Sequence, residues 1–387
     1  MTQSNKTRVS ICTETLKQAL GGTMKNAAAA GLALLFLSAP GALAQSLTPD
    51  QLQLPSDEFP AVPDIDRQVG AQGVDVVSGV FSTQSPTIAI GAPGAGGLSY
   101  SLLYDGVGMR HSVTGGIAQT GSSSFVVSFM GSAEEFSFVG GAYAPAEPSG
   151  STLTYASGLY TYQTGDGSIV EFRTVPSGIG AVYGYDVAYV ERFVAPNGQE
   201  LSYTYTPGLT RIEYYQTPGG ELCITDEGDG GNCQLADQFE AFFRLQSVSS
   251  NQGYLLQFEY ELDTFAASYD DATARLAVDQ WLQLNKVQAI NLTEVWCAPT
   301  ANQCAVGADW PHLEFDWVQN AQLTPEELTI RDALDNETVW TFDVQGQLTE
   351  IDWLTPSGVS RQASKTINYD AEGRVSSISQ GGLSWTT

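Results

Sequence analysis

Basic residues are scarce in this 387-residue chain. It has 16 lysines and arginines against 43 aspartates and glutamates, a formal net charge of −27 at pH 7. Nucleic-acid binding needs a basic surface that releases the counterions of the phosphates, so this charge balance excludes nucleic acid as a partner. Charged residues of both signs make up only 15% of the chain, whereas aromatic residues reach 10%. Disordered segments show the opposite balance, and the composition therefore predicts a folded protein with a core.

Long apolar runs and histidines are scarce too. The most apolar stretch covers residues 27–37, about half of the ~20 residues that a helix needs to cross a bilayer. We therefore predict no membrane span. Histidine occurs twice, at His111 and His312, and neither has the neighbours expected of a catalytic triad. The sequence accordingly predicts no serine nucleophile activated by histidine.

The amino-terminal stretch has the pattern of an export signal. A basic residue, Lys25, precedes the apolar stretch, and the small residues Ala42 and Ala44 after it suit cleavage. We predict a signal peptide over residues 1–44, with Met24 as an alternative start because the region before the apolar stretch is unusually long. The predicted destination is the periplasm, the cell surface or the medium.

Five cysteines are present, and Cys12 falls within the predicted signal. The others form two local pairs, Cys223 with Cys233 and Cys297 with Cys304. Export places them in an oxidising compartment, where an even number of cysteines favours disulfides. We predict the local pairing because each pair brackets a loop rich in turn residues. A zinc site would want closer spacing and more histidine.

The loop between the first two cysteines is acidic and rich in glycine. It contains Asp226, Glu227 and Asp229, and oxygen ligands on a glycine-rich turn suit Ca²⁺. The spacing is not that of an EF-hand loop, and solvated surface loops have the same composition. Calcium binding and a plain surface loop both stay open, and we predict no other cofactor.

Glycine, in contrast, is abundant, with 40 residues that separate short runs of β-branched and aromatic residues. Asp166-Gly167 and Asn197-Gly198 each lie between two such runs, which is typical of tight hairpins with primed turns. The pattern predicts an all-β fold of antiparallel hairpins, arranged as a curved, shell-like ribbon or a sandwich. At most one short helix, near 271–284, is expected.

Composition divides the mature chain into three regions. Residues 45–73 are polar and punctuated by prolines, and we predict a linker or arm. Residues 74–270 form a first β-rich region. All seven tryptophans follow residue 280, and this shift suggests a second β-rich region over 271–387.

Two segments of the second region share one pattern, aromatic-Asp-x-x-Gly-x-aliphatic-x-x-Ile, at an offset of 370 − 343 = 27 residues. An aspartate at this place can accept a hydrogen bond from the backbone two residues on, and glycine supplies a positive φ. We predict a strand, an aspartate turn and a returning strand in each, which stack because neither buries its face alone. The motif residues are Phe342, Asp343 and Gly346 in the first segment, and Tyr369, Asp370, Gly373 and Arg374 in the second.

The second segment, 369–378, resembles the YD repeat of RHS proteins, a bacterial family built on the pattern YDxxGR. The first segment resembles a preceding unit with Phe342 in place of tyrosine. Residues 329–337 resemble another, with Asn336 where glycine is usual. Residues 74–104 are similar to the region that precedes the repeats in such proteins, so the resemblance touches most of residues 74–380.

The resemblance implies a ribbon of hairpins that curls into a hollow shell, which in many members encloses a carboxy-terminal toxin. We therefore expect a secreted, non-enzymatic shell or scaffold protein, as a fragment or short relative, that encloses cargo or contacts a surface. The expected partner is a protein or cell-surface molecule, or a downstream toxin or shell segment. An alternative is an adhesin module that binds carbohydrate through exposed aromatic residues. A further alternative, a glycoside hydrolase, needs two facing carboxylates, and no pair stands out in the sequence.

Overall fold

The computed structural model describes residues 70, 72–75, 78–92, 96–106, 108–175, 187–216, 234–265, 269–270, 280–304, 310–320 and 325–386. The chain divides into two compact units, residues 1–45 and 46–387, and all described residues belong to the second. The predicted signal peptide and the loop with Cys223, Cys233 and the calcium candidates Asp226, Glu227 and Asp229 lie outside the described residues. Nearly all of the predicted arm over 45–73 also lies outside them.

The described part of the chain is built almost entirely of strands, and the predicted all-β fold is confirmed. A helical turn at 280–282 lies within the predicted helix near 271–284, whose residues 271–279 are outside the described part. The strands are β1 (Thr83–Gln84), β2 (Ile88–Ile90), β3 (Leu98–Tyr100), β4 (Leu102–Tyr104), β5 (Met109–His111), β6 (Gly115–Gln119), β7 (Ser124–Phe129), β8 (Ser132–Val139), β9 (Ala142–Pro145), β10 (Thr152–Ala156), β11 (Leu159–Gln163), β12 (Ile169–Thr174), β13 (Ala188–Val194), β14 (Glu200–Gln216), β15 (Gln234–Ser250), β16 (Tyr254–Tyr260), β17 (Tyr269–Asp270), β18 (Leu284–Asn291), β19 (His312–Gln319), β20 (Pro325–Asp332), β21 (Glu337–Phe342), β22 (Leu348–Leu354), β23 (Lys365–Tyr369), β24 (Val375–Gln380) and β25 (Leu383–Thr386).

All strands from β6 onward belong to one open sheet. Neighbours in sequence pair antiparallel from β10 to β16 and from β18 to β25, and β16 pairs directly with β18, so the ladder crosses residue 270. β6 to β9 form a branch, joined to β13 through Ala188 opposite Ile117. The amino-terminal strands form two small sheets, β1-β4-β5 and β2-β3. Short antiparallel connections of this kind follow from turns that join consecutive strands.

The predicted hairpin turns are present, but their type is not the primed one. Asp166-Gly167 joins β11 to β12 and Asn197-Gly198 joins β13 to β14, and only the glycine of each pair has a positive φ, 91° at Gly167 and 83° at Gly198. A primed type I turn needs positive φ at both central residues. These loops instead combine an ordinary turn with one left-handed glycine, which leaves room for an extra residue in the loop.

One main core lies along the apolar face of the ladder. In β21, for example, Thr338, Trp340 and Phe342 are buried and alternate with half-buried residues, as expected when a strand faces a core on one side. The amino-terminal strands fill this face: Phe81, Tyr100 and Tyr104 belong to the same core cluster as Trp340. The apolar face of the described ribbon is therefore packed with part of the same chain, the stretch from Gly79 to Tyr104, which we call the amino-terminal segment.

β16 and β18 are buried on both faces because a loop covers their outer side. Leu255 and Ile290 pack against Cys297 in a separate cluster, and a disulfide joins Cys297 to Cys304. Two buried glutamine side chains donate to this loop: Gln246 Nε2 lies 2.9 Å and Gln257 Nε2 lies 2.5 Å from the Ala301 carbonyl oxygen. Buried amides held in this way satisfy backbone carbonyls that would otherwise lose water. This loop explains why Leu255–Phe258 is apolar at nearly every position.

Candidate functional site: the aspartate turns and the segment packed against them

The first repeat turn connects β21 to β22. Asp343 Oδ1 accepts hydrogen bonds from the backbone N–H of Gln345 and of Gln347, both at 2.9 Å. Gly346, with φ 78°, donates its N–H to the Asp343 carbonyl oxygen at 3.0 Å. The carboxylate thus replaces water at two backbone donors, and the glycine takes a left-handed conformation that few other residues adopt.

The second repeat turn, between β23 and β24, is built in the same way. Asp370 Oδ1 accepts from the backbone N–H of Glu372 at 3.0 Å and of Arg374 at 2.9 Å, and Gly373 has the same φ of 78°. The Arg374 guanidinium also donates to Asp370 Oδ2 at 2.9 Å. The backbone N–H and then the side chain of Arg374 hold the pKa of the Asp370 carboxyl below its usual range. The motif residues therefore form turns, with the carboxylates bound to backbone amides.

A third turn, between β20 and β21, corrects the alignment of residues 329–337. Asp332 Oδ1 accepts from the N–H groups of Leu334 at 2.8 Å and Asn336 at 2.9 Å. The residue with positive φ is Asp335, at 58°, so Asp335 and not Asn336 takes the glycine position. Asn336 takes the arginine position, and its Nδ2 returns to Asp332 Oδ2 at 3.0 Å. Aspartate tolerates the left-handed region better than most residues. With aspartate in place of glycine, the sequence pattern was aligned one position too late.

The two repeat turns touch each other across the sheet. The Gln347 side chain donates to the Gly373 carbonyl oxygen at 3.4 Å, and the Tyr369 hydroxyl donates to the Leu348 carbonyl oxygen at 2.8 Å. The motif tyrosine of one unit is therefore bound to the backbone of the unit before it. Burial is the main cause that raises the pKa of Tyr369 above its usual range. Its hydroxyl is accordingly a neutral hydrogen-bond donor at every physiological pH.

The amino-terminal segment binds both repeat turns. The backbone N–H of Val375, just after the second turn, donates to the Gly79 carbonyl oxygen at 2.9 Å. The equivalent N–H of Leu348, after the first turn, donates to the Tyr104 hydroxyl at 3.1 Å. Both residues lie at a register shift in the ladder, where regular strand pairing is interrupted. The segment therefore satisfies backbone donors that the irregular ladder leaves pointing into the core.

Two residues of the segment fit these places closely. Tyr104 packs against Trp340 and Phe342, with ring centroids 6.5 Å and 5.9 Å away, and burial raises the pKa of its phenol to about 12. Gly79 has φ 72°, and a Cβ there would lie 3.0 Å from Arg374 Cβ. Sequence reasoning found the stretch 74–104 but not this packing, because Tyr104 and Leu348 are 244 residues apart.

The other predicted residues lie elsewhere. The structure places Cys297 and Cys304 on the outer face of β16 and β18, and the pairing of Cys223 with Cys233 stays a prediction. Over the described ranges, no group of three or more histidine, cysteine, aspartate or glutamate side chains is placed to hold a metal ion. In the same part of the chain, no helix is long and apolar enough to cross a membrane.

No protein-family model and no curated protein matches the chain. Solved structures are similar at low identity. A crystal structure of TcdB2-TccC3 has a TM-score of 0.38 at 10% identity, over 81% of this chain and 17% of that chain. The Tc holotoxin pore of Photorhabdus luminescens has a TM-score of 0.33 at 13% identity, over 79% of this chain and 17% of that chain.

The N-terminal domain of the effector protein SpvB from Salmonella typhimurium strain LT2 has a TM-score of 0.23 at 12% identity, over 79% of this chain and 99% of that chain. This chain spans about a sixth of the length of the TcdB2-TccC3 chain, 17%. Identities and TM-scores this low assign no family and carry no argument about function.

Proposed function

We propose that the protein is an exported, non-enzymatic scaffold of the RHS/YD-repeat type. The observation that supports this most is the repeated aspartate turn: Asp332, Asp343 and Asp370 each close a hairpin by accepting two backbone N–H groups. Carboxylates committed to backbone amides stabilise turns, which is a structural role. The motif aspartates Asp343 and Asp370 are therefore accounted for by architecture.

The scaffold would present its outer surface to a partner. Its apolar face is filled by residues from Phe81 to Tyr104, and its outer face carries cross-strand ion pairs such as Arg173 with Glu191 at 2.7 Å and Arg331 with Glu337 at 3.1 Å. Exposed pairs of this kind contribute little to stability and keep the face solvated. We propose a protein or cell-surface partner, or a further shell segment, with cargo enclosure as the more specific form of the same role.

Export and enclosure can be tested in one experiment. The full chain, followed by a protease-sensitive reporter, is produced in a bacterium and the cell fractions are analysed by mass spectrometry. We expect a mature protein that begins near Gln45 in the periplasm or the medium, and a reporter that resists added protease. Recovery of the chain in the cytoplasm with residues 1–44 intact would contradict export. A reporter that is cleaved as fast as the free reporter would restrict the proposal to a scaffold that encloses nothing.

A cluster of aromatic side chains favours carbohydrate binding as a second candidate function. Phe138 and Tyr155 are 42% and 52% exposed. The Phe138 ring contacts Tyr143, Tyr143 contacts Tyr160, and Tyr160 contacts Tyr155, with ring centroids 4.6 to 5.8 Å apart. Rings that offer one face and a hydroxyl at the rim are common in binding surfaces. Among the tryptophans, Trp281 and Trp340 are buried and offer no face to a sugar.

A glycan array tests this candidate. Wild-type protein is compared with Tyr155→Ala and with Trp296→Ala, which removes a tryptophan that is 78% exposed on a different loop. Carbohydrate binding at the aromatic cluster predicts saturable binding that Tyr155→Ala abolishes and Trp296→Ala leaves unchanged. Equal binding by all three proteins, or none by wild type, would reject the cluster as a carbohydrate site.

A further inference from the structure

The loop that covers the outer side of β16 and β18, which we call the disulfide loop, consists of residues 292–304. Leu255 and Ile290 on these strands pack against Cys297 in a cluster of their own. Residues of the same strands that face the other way, such as Leu256, belong to the main core. The loop therefore rests on a separate layer, and moving it away would leave the inner packing of both strands in place.

Hydrogen bonds from the sheet hold the middle of this loop. Gln246 Nε2 donates to the Ala301 carbonyl oxygen at 2.9 Å, and Gln257 Nε2 donates to the same oxygen. Ser247 Oγ donates to the Pro299 carbonyl oxygen at 2.8 Å. A hydrogen bond between neutral groups contributes little net free energy, because on opening it is exchanged for bonds to water. These contacts position the loop and are reversible.

The bond between Cys297 and Cys304 is the covalent part of this closure. The two cysteines are separated by 7 positions, and the ring between them restricts the conformations that the loop gains when it opens. Without the bond the residues of the ring acquire that freedom, so that opening becomes more favourable. The free energy of opening the loop therefore depends on whether the bond is present.

Cys304 carries the sulfur that a reductant reaches first, since it is half-buried and Cys297 is only 4% exposed. A thiolate of a dithiol attacks the Cys304 sulfur, forms a mixed disulfide and displaces the Cys297 thiolate. The second thiolate of the dithiol then displaces the Cys304 thiolate and forms a disulfide within the reductant. Two electrons pass to the protein, and each displaced thiolate takes up a proton that the dithiol has given up.

We infer that the disulfide loop is a redox-sensitive lid. With the bond intact, the loop stays over the outer side of β16 and β18. When a dithiol reduces the bond, the loop opens and uncovers Leu255 and Ile290. The two strands stay paired, because their ladder runs from Tyr254 opposite Asn291 through the whole of β16 and their inner sides stay in the main core. The opening is therefore local.

Amide hydrogen exchange, followed by mass spectrometry, tests the lid in the full chain. The Ala301 N–H is bonded to the Ala298 carbonyl oxygen at 2.9 Å. We expect dithiothreitol, a dithiol, to raise the exchange rate at least tenfold in peptides that cover residues 297–304. The amides of β16 should exchange as slowly as before, because they are bonded to the neighbouring strands β15 and β18.

Two double variants assign the effect to this bond. Cys297→Ser combined with Cys304→Ser should give fast exchange in the loop with or without dithiothreitol. The matched control, Cys223→Ser combined with Cys233→Ser, keeps the bond of the loop and should respond to dithiothreitol like wild type. A control that no longer responds would place the redox sensitivity at the other pair of cysteines and overturn the inference.

Alkylation of the reduced wild-type protein by N-ethylmaleimide reports the same opening at a side chain. Because Cys297 is 4% exposed, its thiol is modified only when the loop is open, whereas Cys304 is within reach in both states. We expect both cysteines to be modified. Modification of Cys304 alone, or unchanged exchange in the loop, would show that the loop stays closed after reduction. Faster exchange in β16 and β18 as well would show that the bond stabilises the whole ladder and is no lid.

Discussion

At the scale of single residues, the repeat aspartates act as acceptors. Asp343 binds two backbone N–H groups that would otherwise turn to water or break the hairpin. Its neighbour in the motif, Gly346, adds the conformation but no side chain, with φ 78°. The pair of functions explains why the pattern reads Asp-x-x-Gly: the acceptor starts the turn and the left-handed residue ends it.

Replacing Asp343 separates hydrogen bonding from charge. We expect Asp343→Ala to lower the free energy of unfolding by about 1–2 kcal/mol, as for loss of a side-chain acceptor at backbone donors. Asp343→Asn keeps an acceptor oxygen in the same place and should lose less than half as much. Urea denaturation of the two variants and wild type measures the difference. Equal losses for alanine and asparagine would mean that the charge, not the acceptor, stabilises the turn.

His111 makes stability depend on pH. Burial lowers the pKa of its imidazole to about 4, and its Nδ1 lies 2.9 Å from the Tyr100 hydroxyl, with the Phe258 ring 5.3 Å away. Because the folded pKa lies below the unfolded value of 6.5, the unfolded chain binds the proton more readily. Stability from this group is complete above about pH 6.5 and is lost as the pH falls toward 4, by roughly 3 kcal/mol in all.

The variant His111→Gln removes this titration. We expect the loss of stability between pH 7 and pH 4.5 to be smaller in the variant than in wild type, measured by urea denaturation at both pH values. The comparison of slopes is independent of any constant cost of the substitution. Parallel curves for the two proteins would show that His111 does not contribute to the acid sensitivity.

At the scale of elements, the turns are also contact surfaces. Gly79 and Gly346 share a left-handed φ, 72° and 78°, but only Gly79 faces a neighbour, Arg374 at 3.0 Å from an added Cβ. Both Gly→Ala changes should cost about 1 kcal/mol of backbone strain. Gly79→Ala should cost more, because it also pushes the amino-terminal segment away from the second repeat turn.

Two measurements separate these effects. Thermal unfolding gives the stability of each variant, and limited proteolysis reports whether the segment from Gly79 to Tyr104 has loosened. We expect faster cleavage in that segment for Gly79→Ala and no change for Gly346→Ala. Identical stability and cleavage in the two variants would show that the contact with Arg374 does not hold the segment in place.

Local patterns in the sequence were enough to predict most elements. Alternating residues and Asp-Gly or Asn-Gly pairs predicted the hairpins, and the repeat predicted the turns at Asp343 and Asp370. The double burial of Leu255–Phe258 could not be predicted, because the covering loop around Cys297 and Ala301 belongs to another part of the chain. Neither could the junction of β6 with β13, which joins residues far apart in sequence. Such contacts depend on side-chain packing that periodicity does not encode.

At the scale of the whole molecule, the amino-terminal segment completes the core. Phe81, Tyr100 and Tyr104 share one cluster with Trp340 and Ile378. Burial of large apolar side chains of this kind contributes roughly 1.5–3 kcal/mol each. The ribbon alone would leave that face to water, and such faces bind each other or other proteins.

Two truncated chains test this dependence. A chain of residues 70–387 keeps the segment and should be monomeric with one cooperative unfolding transition. A chain of residues 112–387 lacks it and should aggregate or bind the dye ANS, because its apolar face is exposed. Light scattering and dye fluorescence compare the two. A stable monomer of residues 112–387 without dye binding would show that the segment is dispensable for the core.

The bonds from Leu348 and Val375 to the amino-terminal segment also set an order in time. A chain that leaves the ribosome or crosses a membrane from its amino terminus presents Gly79 and Tyr104 first. Their partners follow after more than two hundred further residues; Tyr104 and Leu348 alone are 244 positions apart. Contacts of such separation form slowly. The bonds of Gly79 with Val375 and of Tyr104 with Leu348 can therefore form only after residues 348 and 375 have emerged, later than the contact of Tyr100 with Phe258.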